Sequence, residues 1–288
     1  MSRIFYIEPV GKSSPDLFQT FIPTFTEQGH SFVDRVEDAD VVLYDLFSGL
    51  GEYDDEEARK LYEWKKPIVF WNEVDYGGMS KEQFDPSEYS SVVERHKIVL
   101  FMRKMLKKVE YPSYVFPYEK VLMNEFPLTT SQELNSRPIE IFFCGNTSPQ
   151  RESVCKELSK HFKCDFSLGQ QKISHEDWLN RARQSKLFLT SDGGGVSDER
   201  PYQLFTISPM LRQKNNHLQT HPFSDYINCL EVSEVPTKEE IEGIKAVLSD
   251  PDYLFEIYES GIEYMKEHYS AEARSKYILS ILTREGII

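Results

Sequence analysis

Short apolar runs, each followed by a turn and then by a stretch of helical periodicity, recur along this chain, and that alternation confines it to folds built on parallel sheets. Ile4-Phe5-Tyr6-Ile7 is the first run, made of β-branched and aromatic residues and ending near Glu8. Ser14 and Pro15 supply a helix cap and a first helical position. Leu17, Phe18, Phe21, Ile22 and Phe25 continue at helical spacing, and Gly29 stops the helix. The unit then repeats: Asp40–Asp45 predicts a strand, Asp54–Trp64 a helix, Pro67–Trp71 a strand, and residues 96–102 contain another. Tyr111–Val121 adds a strand whose prolines restrict it to a sheet edge.

Residues 124–138, with Pro127, Thr129, Thr130, Ser131, Ser136 and Pro138, have the composition of a linker, and the domain boundary is expected there. Beyond it the pattern restarts with Ile139–Cys144, a glycine turn and a helix to about His161. A short strand near Cys164–Phe166 leads to a helix whose Ser174 and Asp177 have capping-box spacing. Lys186–Thr190 is the next strand and Tyr226–Val232 the last. Helices start at Thr237 and at Asp250-Pro251, and a terminal helix covers about Ala271–Leu282. Strands separated by helices imply parallel sheets covered on both faces, so the expected fold class is α/β: two units with a cleft between them.

Charge narrows the partners. Lys and Arg number 33 against 47 Asp and Glu, a net −14, and such a field repels a nucleic-acid backbone or an anionic bilayer, which makes duplex DNA a poor default partner. Cys144, Cys155, Cys164 and Cys229 contain no CxxC pair and read as core thiols in a reducing compartment. The segment MSRIFYIEPVG lacks the apolar core of a signal peptide, and no stretch reaches the length of a membrane span, so a cytoplasmic location is expected.

In open parallel sheets ligands collect beyond the carboxyl ends of the strands, where helix N-termini point unsatisfied amides. Two stretches fit. In the first, Gly145 allows a sharp turn, Asn146 follows it, Ser148 can cap and Arg151 lies in the first helical turn; the alternative is an ordinary strand-to-helix connection. In the second, Asp192 is followed by Gly193, Gly194 and Gly195, three residues that lose much backbone entropy on folding and pack no side chain. A positive-φ turn or the close approach of a ligand accounts for them, a plain surface loop being the competing reading. Just beyond, Arg200 can pair with phosphate oxygens or with Asp198 and Glu199, and Gln203 can hydrogen-bond ribose hydroxyls or a base edge.

These stretches resemble the GT-B glycosyltransferases. Ile141–Asn146 with Arg151 looks like the strand that opens the donor domain, Ser185–Leu189 through Arg200–Leu204 like the donor-contact region, and Asp250–Leu282 like the closing helices. The resemblance covers residues 139–285, and the first half only by architecture. It implies two Rossmann-like domains with parallel sheets facing a central cleft: residues 1–130 on the acceptor side, 131–270 binding a nucleotide-sugar, and 271–288 as a terminal helix packing back on the first domain. It further implies a nucleotide-sugar-dependent transferase with no cofactor and no catalytic metal. Gly145, Asn146, Arg151, Asp192, Gly193, Gly194, Gly195, Arg200 and Gln203 would bind the donor, with Arg151 or Arg200 offsetting charge on the leaving diphosphate. Gln203 departs from the glutamate that many retaining members place there.

An inverting transfer needs a base for the acceptor proton, and carboxylates at the carboxyl ends of first-half strands are the candidates: Glu8, Asp45, and the pair Glu73 and Asp75, with Glu73 favoured. Asp38-Ala39-Asp40 has DxD form but precedes a strand instead of ending one, so it reads as structural. His175, His217 and His221 have no nearby cysteine or carboxylate to complete a metal site. Two readings compete with the enzyme: a noncatalytic nucleotide-binding or protein-interaction module on the same frame, and a transferase acting on modified DNA bases.

Overall fold

The computed structural model describes residues 1–7, 21–45, 66–72, 98–102, 113–115, 127–169, 173–191, 204–214 and 222–288. The chain divides into two compact units, Met1–Tyr118 together with Ala271–Ile288, and Glu119–Asn216 together with His221–Ser270.

The first unit holds a parallel sheet of six strands: β1 (Arg3–Ile7), β2 (Ser31–Phe32), β3 (Val41–Asp45), β4 (Ile68–Asn72), β5 (Ile98–Met102) and β6 (Ser113–Val115), in the order β2-β1-β3-β4-β5-β6. β6 lies at an edge of the sheet. Helix α1 (Ile22–Glu27) ends at Gly29, whose φ of +87° takes the chain out of the helix at no steric cost. Asp40 accepts from Arg3 at three nitrogens, from the backbone N at 2.8 Å, Nη2 at 3.0 Å and Nε at 3.2 Å. Those bonds hold its carboxyl down at about 2 and tie the entrance of β3 to β1. Asp40 thus links the two strands at the amino end of the sheet. Ile4, Val41, Leu43 and Val69 form one wall of the core, against Phe21, Phe25 and the apolar side of the terminal helix.

The second unit has five parallel strands, β7 (Ile139–Gly145), β8 (Cys164–Leu168), β9 (Ser185–Thr190), β10 (Met210–Gln213) and β11 (Leu230–Val232), ordered β11-β10-β9-β7-β8. Alternate residues of each strand enter opposite cores, as the period of two requires. Ile141, Phe143, Leu187, Leu189 and Leu211 face α3 (Pro149–Leu158), α5 (Lys238–Ser249) and α6 (Pro251–Tyr269). Phe142, Phe188 and Met210 face α4 (His175–Arg183) and an aromatic group of Trp178, Phe205, Phe223 and Tyr269. Both faces are buried, which is why these strands read as continuous apolar runs.

Three expectations need correction. Residues 127–138 are not merely a linker: they carry α2 (Ser131–Ser136), opened by a capping box in which Thr130 Oγ1 accepts from Glu133 N and the Glu133 carboxylate accepts from Thr130 N. Arg137 fixes that segment to the second unit, donating from Nη1 to the carbonyls of Ser185 and Ile207 and from Nη2 to Thr129 Oγ1. The run from Tyr226 is strand only over Leu230–Val232, because Tyr226 sits at φ +59° in a turn closed by Ser224 O. Strands β2 and β10 were not anticipated. The terminal helix α7 (Ala271–Arg284) places Ile278, Leu279, Ile281 and Leu282 in the core of the first unit.

Candidate functional site

In the second sheet the chain passes from β7 outward to β8 and then returns to β9 on the other side, so the loops leaving β7 and β9 diverge. That reversal opens a crevice at the carboxyl ends of β7 and β9, the position where open α/β sheets hold ligands. Gly145 ends β7 and is buried, and its carbonyl accepts from Gly169 N at 3.2 Å. A Cβ on Gly145 would stand 3.0 Å from the Phe143 ring and 3.6 Å from Arg151 Nη1, so a side chain there would have to press the ring back by a few tenths of an ångström. Asn146 and Thr147 are exposed, Ser148 caps α3 by accepting from Arg151 N at 3.3 Å, and Pro149 takes the first helical turn.

Arg151 joins the two banks. Its Nη1 donates to Asn146 O at 3.0 Å, its Nε donates to Ser191 O at 3.1 Å, and its guanidinium lies 5.5 Å from the centre of the Phe143 ring. Only 7% of the residue is exposed. The planar fork meets carbonyls on both loops at once, which a lysine ammonium could not do in the same geometry. A fixed positive charge therefore lies under the crevice beside the amides of the first turn of α3, and both favour an anion above them. Arg151 acts through that field and by holding the walls in register.

At the carboxyl ends of β9 and β10 the apolar runs give way to Thr190, Ser191 and Gln213. Ser191 Oγ donates to Gln213 Oε1. The adjacent cations are committed elsewhere: Arg212 pairs with Glu231 at 3.2 Å, and Lys214 with Glu240 at 2.7 Å. Sequence reasoning missed Gln213; the available signal was a polar residue closing an apolar strand. Cys155, on the buried side of α3, is pushed up to about 12 by burial, which suits a packing thiol.

Gly145, Asn146 and Arg151 thus lie together at one strand end. Asp192, Gly193, Gly194, Gly195, Arg200 and Gln203 lie outside the described residues, as do Glu8, Glu73, Asp75, His217 and His221. Leu204, Phe205 and Ile207, which follow Gln203, are buried, with Phe205 stacked on Phe223 at 5.7 Å. Among the described residues no group of three His, Cys, Asp or Glu is placed to hold a metal ion, and no helix is long and apolar enough to cross a membrane.

Two Rossmann-like units of parallel strands, the second with a helix N-terminus at its switch point, give this chain the fold of the GT-B glycosyltransferases. Three solved structures make the likeness concrete. An alpha-glucosyltransferase in complex with UDP and a 13-mer DNA containing an HMU base matches with a TM-score of 0.63 at 12% identity, over 98% of this chain and 99% of its own. HepE from Anabaena in complex with UDP-glucose gives 0.56 at 8%, over 99% and 100%. The E. coli trehalose-6-phosphate structure bound with UDP-2-fluoro glucose gives 0.53 at 8%, over 98% and 99%. At the level of sequence, no protein-family model and no curated protein matches the chain. Identities this low establish likeness of fold.

Proposed function

We propose that this chain is a glycosyltransferase that moves a sugar from a uridine-diphosphate donor to a hydroxyl-bearing acceptor. The observation that carries the reading is the Arg151 tie across the switch-point crevice, which puts a buried positive charge and the first-turn amides of α3 under one small volume. A diphosphate fits that chemistry, and all three similar structures named above hold UDP or a UDP-sugar. In transfer, the bond between the anomeric carbon and the diphosphate oxygen breaks and the acceptor oxygen bonds to that carbon. Negative charge grows on the leaving diphosphate, and prepositioned amides and guanidinium charge stabilise it without reorganising.

Under this reading Asn146 and the glycines Gly193, Gly194 and Gly195 lie against the diphosphate, with Asp192 at the turn's entrance. Arg200 contacts a phosphate oxygen and Gln203 a ribose hydroxyl. Glu73 or Asp75 takes the acceptor proton, and the reaction uses no metal. The free thiols fit a reducing compartment, so we place the reaction in the cytoplasm.

Titration with UDP-, GDP-, TDP- and ADP-sugars, followed by an assay for released nucleoside diphosphate, tests the reading. Saturable binding of a UDP-sugar and slow release of UDP are expected, with Arg200→Ala lowering kcat/KM about tenfold, the effect of one charge-assisted contact. Binding without turnover over a broad acceptor panel would leave a noncatalytic nucleotide-binding module. One further acceptor is favoured by a specific observation, since the alpha-glucosyltransferase above was solved on DNA. Against it stands the net −14, and a DNA affinity that does not fall as salt rises would exclude a phosphate-tracking surface.

A further inference from the structure

Residues 204–209 lead from the stretch that holds Arg200 and Gln203 into β10, and all of them are buried. A buried connection must pair its backbone, and here side chains from elsewhere do much of it. Thr206 O accepts from Tyr258 Oη at 2.6 Å, and Ile207 O accepts from Arg137 Nη1 at 2.7 Å and from Thr129 Oγ1 at 2.9 Å. These side chains also hold one another. Arg137 donates from Nη1 to Ser208 Oγ and from Nη2 to Thr129 Oγ1, both at 2.8 Å, and Thr129 N donates to Tyr258 Oη at 2.8 Å. Ser208 Oγ passes its own hydrogen to Ser185 O at 3.0 Å. Guanidinium and amide nitrogens only donate and carbonyls only accept, so the direction of all three hydroxyls is forced. Burial brings Arg137 down to about 10, which leaves it protonated at neutral pH with every donor present. From another side α6 closes on the same stretch: a Cβ at Gly261 would lie 2.9 Å from the Phe205 ring, so helix and ring meet without clearance.

We propose that Arg137, Thr129 and Tyr258 are positioning residues of the donor site, fixing the chain at the point where it leaves Gln203. The role rests on the glycosyltransferase reading above, in which Gln203 meets the donor ribose. Ser185 opens β9, so the network stands at the amino end of the sheet, opposite the crevice, and acts on the donor through the chain instead of by contact. One peptide bond joins Gln203 to Leu204, which puts its Cα about 3.8 Å from that of an anchored residue. A loosely held stretch would have to be ordered each time a donor bound, and anchoring it beforehand removes that cost from binding.

Calorimetric titration of the full chain with UDP tests this. Tyr258→Phe keeps the ring and removes both hydroxyl bonds, and Arg137→Lys keeps the charge but loses the fork that spans Thr129 and Ser208. Each is expected to weaken UDP about two- to tenfold, the worth of the one hydrogen bond that Gln203 makes. The fitted stoichiometry reports folded protein separately from affinity, so a partly unfolded variant still gives a valid Kd. In a Gln203→Ala background, Tyr258→Phe should cause no further loss, because the side chain it positions is gone. A role in folding alone would lower the melting temperature and leave UDP affinity at the wild-type value in both variants, and that result overturns the proposal. So does a loss that persists undiminished after Gln203→Ala. If the unaltered chain does not bind UDP, the uridine-nucleotide reading falls, and the role of the network falls with it.

Discussion

Replacing Arg151 by methionine keeps the apolar stem over the Phe143 ring and deletes the guanidinium that joins the two loops. Two charge-assisted hydrogen bonds disappear, but their costs differ. Asn146 is exposed, so its carbonyl recovers a water and loses little. Ser191 is buried, so its carbonyl is left unpaired at roughly 1–3 kcal/mol. The lost contact of the guanidinium with Phe143 adds about 0.5–2 kcal/mol. Together these give about 1.5–5 kcal/mol, concentrated where β7 and β9 enter their loops. A two-unit chain need not unfold in one step, so the suitable assay is amide hydrogen exchange by mass spectrometry on peptides covering residues 139–158 and 185–191. Protection there should fall by about tenfold or more, since about 1.5 kcal/mol corresponds to that factor, while the peptide covering α7 keeps its protection. UDP affinity should fall in parallel, and Arg151→Lys, which restores charge without the fork, should recover only part of it. Unchanged protection in the 185–191 peptide would refute the idea that Arg151 holds the two banks together.

Two further outcomes follow from the geometry of the second unit. On α5, a Cβ at Gly243 would lie 2.0 Å from Tyr226 Oη, so Gly243→Ala must swing aside the far end of that half-buried side chain, a cost of up to about 1–3 kcal/mol against which the better helix former returns about 0.5–1 kcal/mol. Combining it with Tyr226→Gly, which removes the ring and relieves the +59° φ, should cost less than the sum of the two single changes in a denaturation cycle. Glu240 responds to pH: burial pushes its carboxyl up, but bonds from Lys214, Thr237 and Ser233 outweigh that and bring it down to about 2 from 4.5. A carboxyl lowered by folding contributes stability that is complete above its unfolded value and is lost as pH falls through the folded one. The melting temperature of the wild type should therefore fall between pH 4.5 and 2 with a steeper slope than that of Glu240→Gln, and equal slopes would count against the network.

The central strands of the second sheet were legible because both its faces are buried: Ile141–Cys144 and Leu187–Leu189 are unbroken apolar runs. β10 was not, since Pro209 precedes it and its last two residues are the polar Arg212 and Gln213. α2 was hidden by its own capping chemistry, whose Ser and Thr content reads as loop, and Leu134 is its one buried side chain among the described residues. Tyr226–Cys229 misled in the other direction, because Asn228 Oδ1 accepts from Ser224 N and folds an apolar run into a turn. At the site, Gly145, Asn146 and Arg151 could be named from strand, turn and helix order alone. The Ser191 and Gln213 pair could not, because it depends on the register that sets Thr190 opposite Arg212, and one chain segment carries no sign of its partner's alignment.

The return of α7 to the first unit reverses the order in which the two units can mature. As the polypeptide leaves the ribosome, Glu119–Ser270 supplies every strand and helix described for the second unit before α7 exists. The first sheet is synthesised earlier, yet Ile278, Leu279, Ile281, Leu282 and Ile287 close its core only after the second unit has been made. Until then Val41, Leu43 and Val69 lack their cover, and that apolar wall is what a chaperone would meet on the nascent chain.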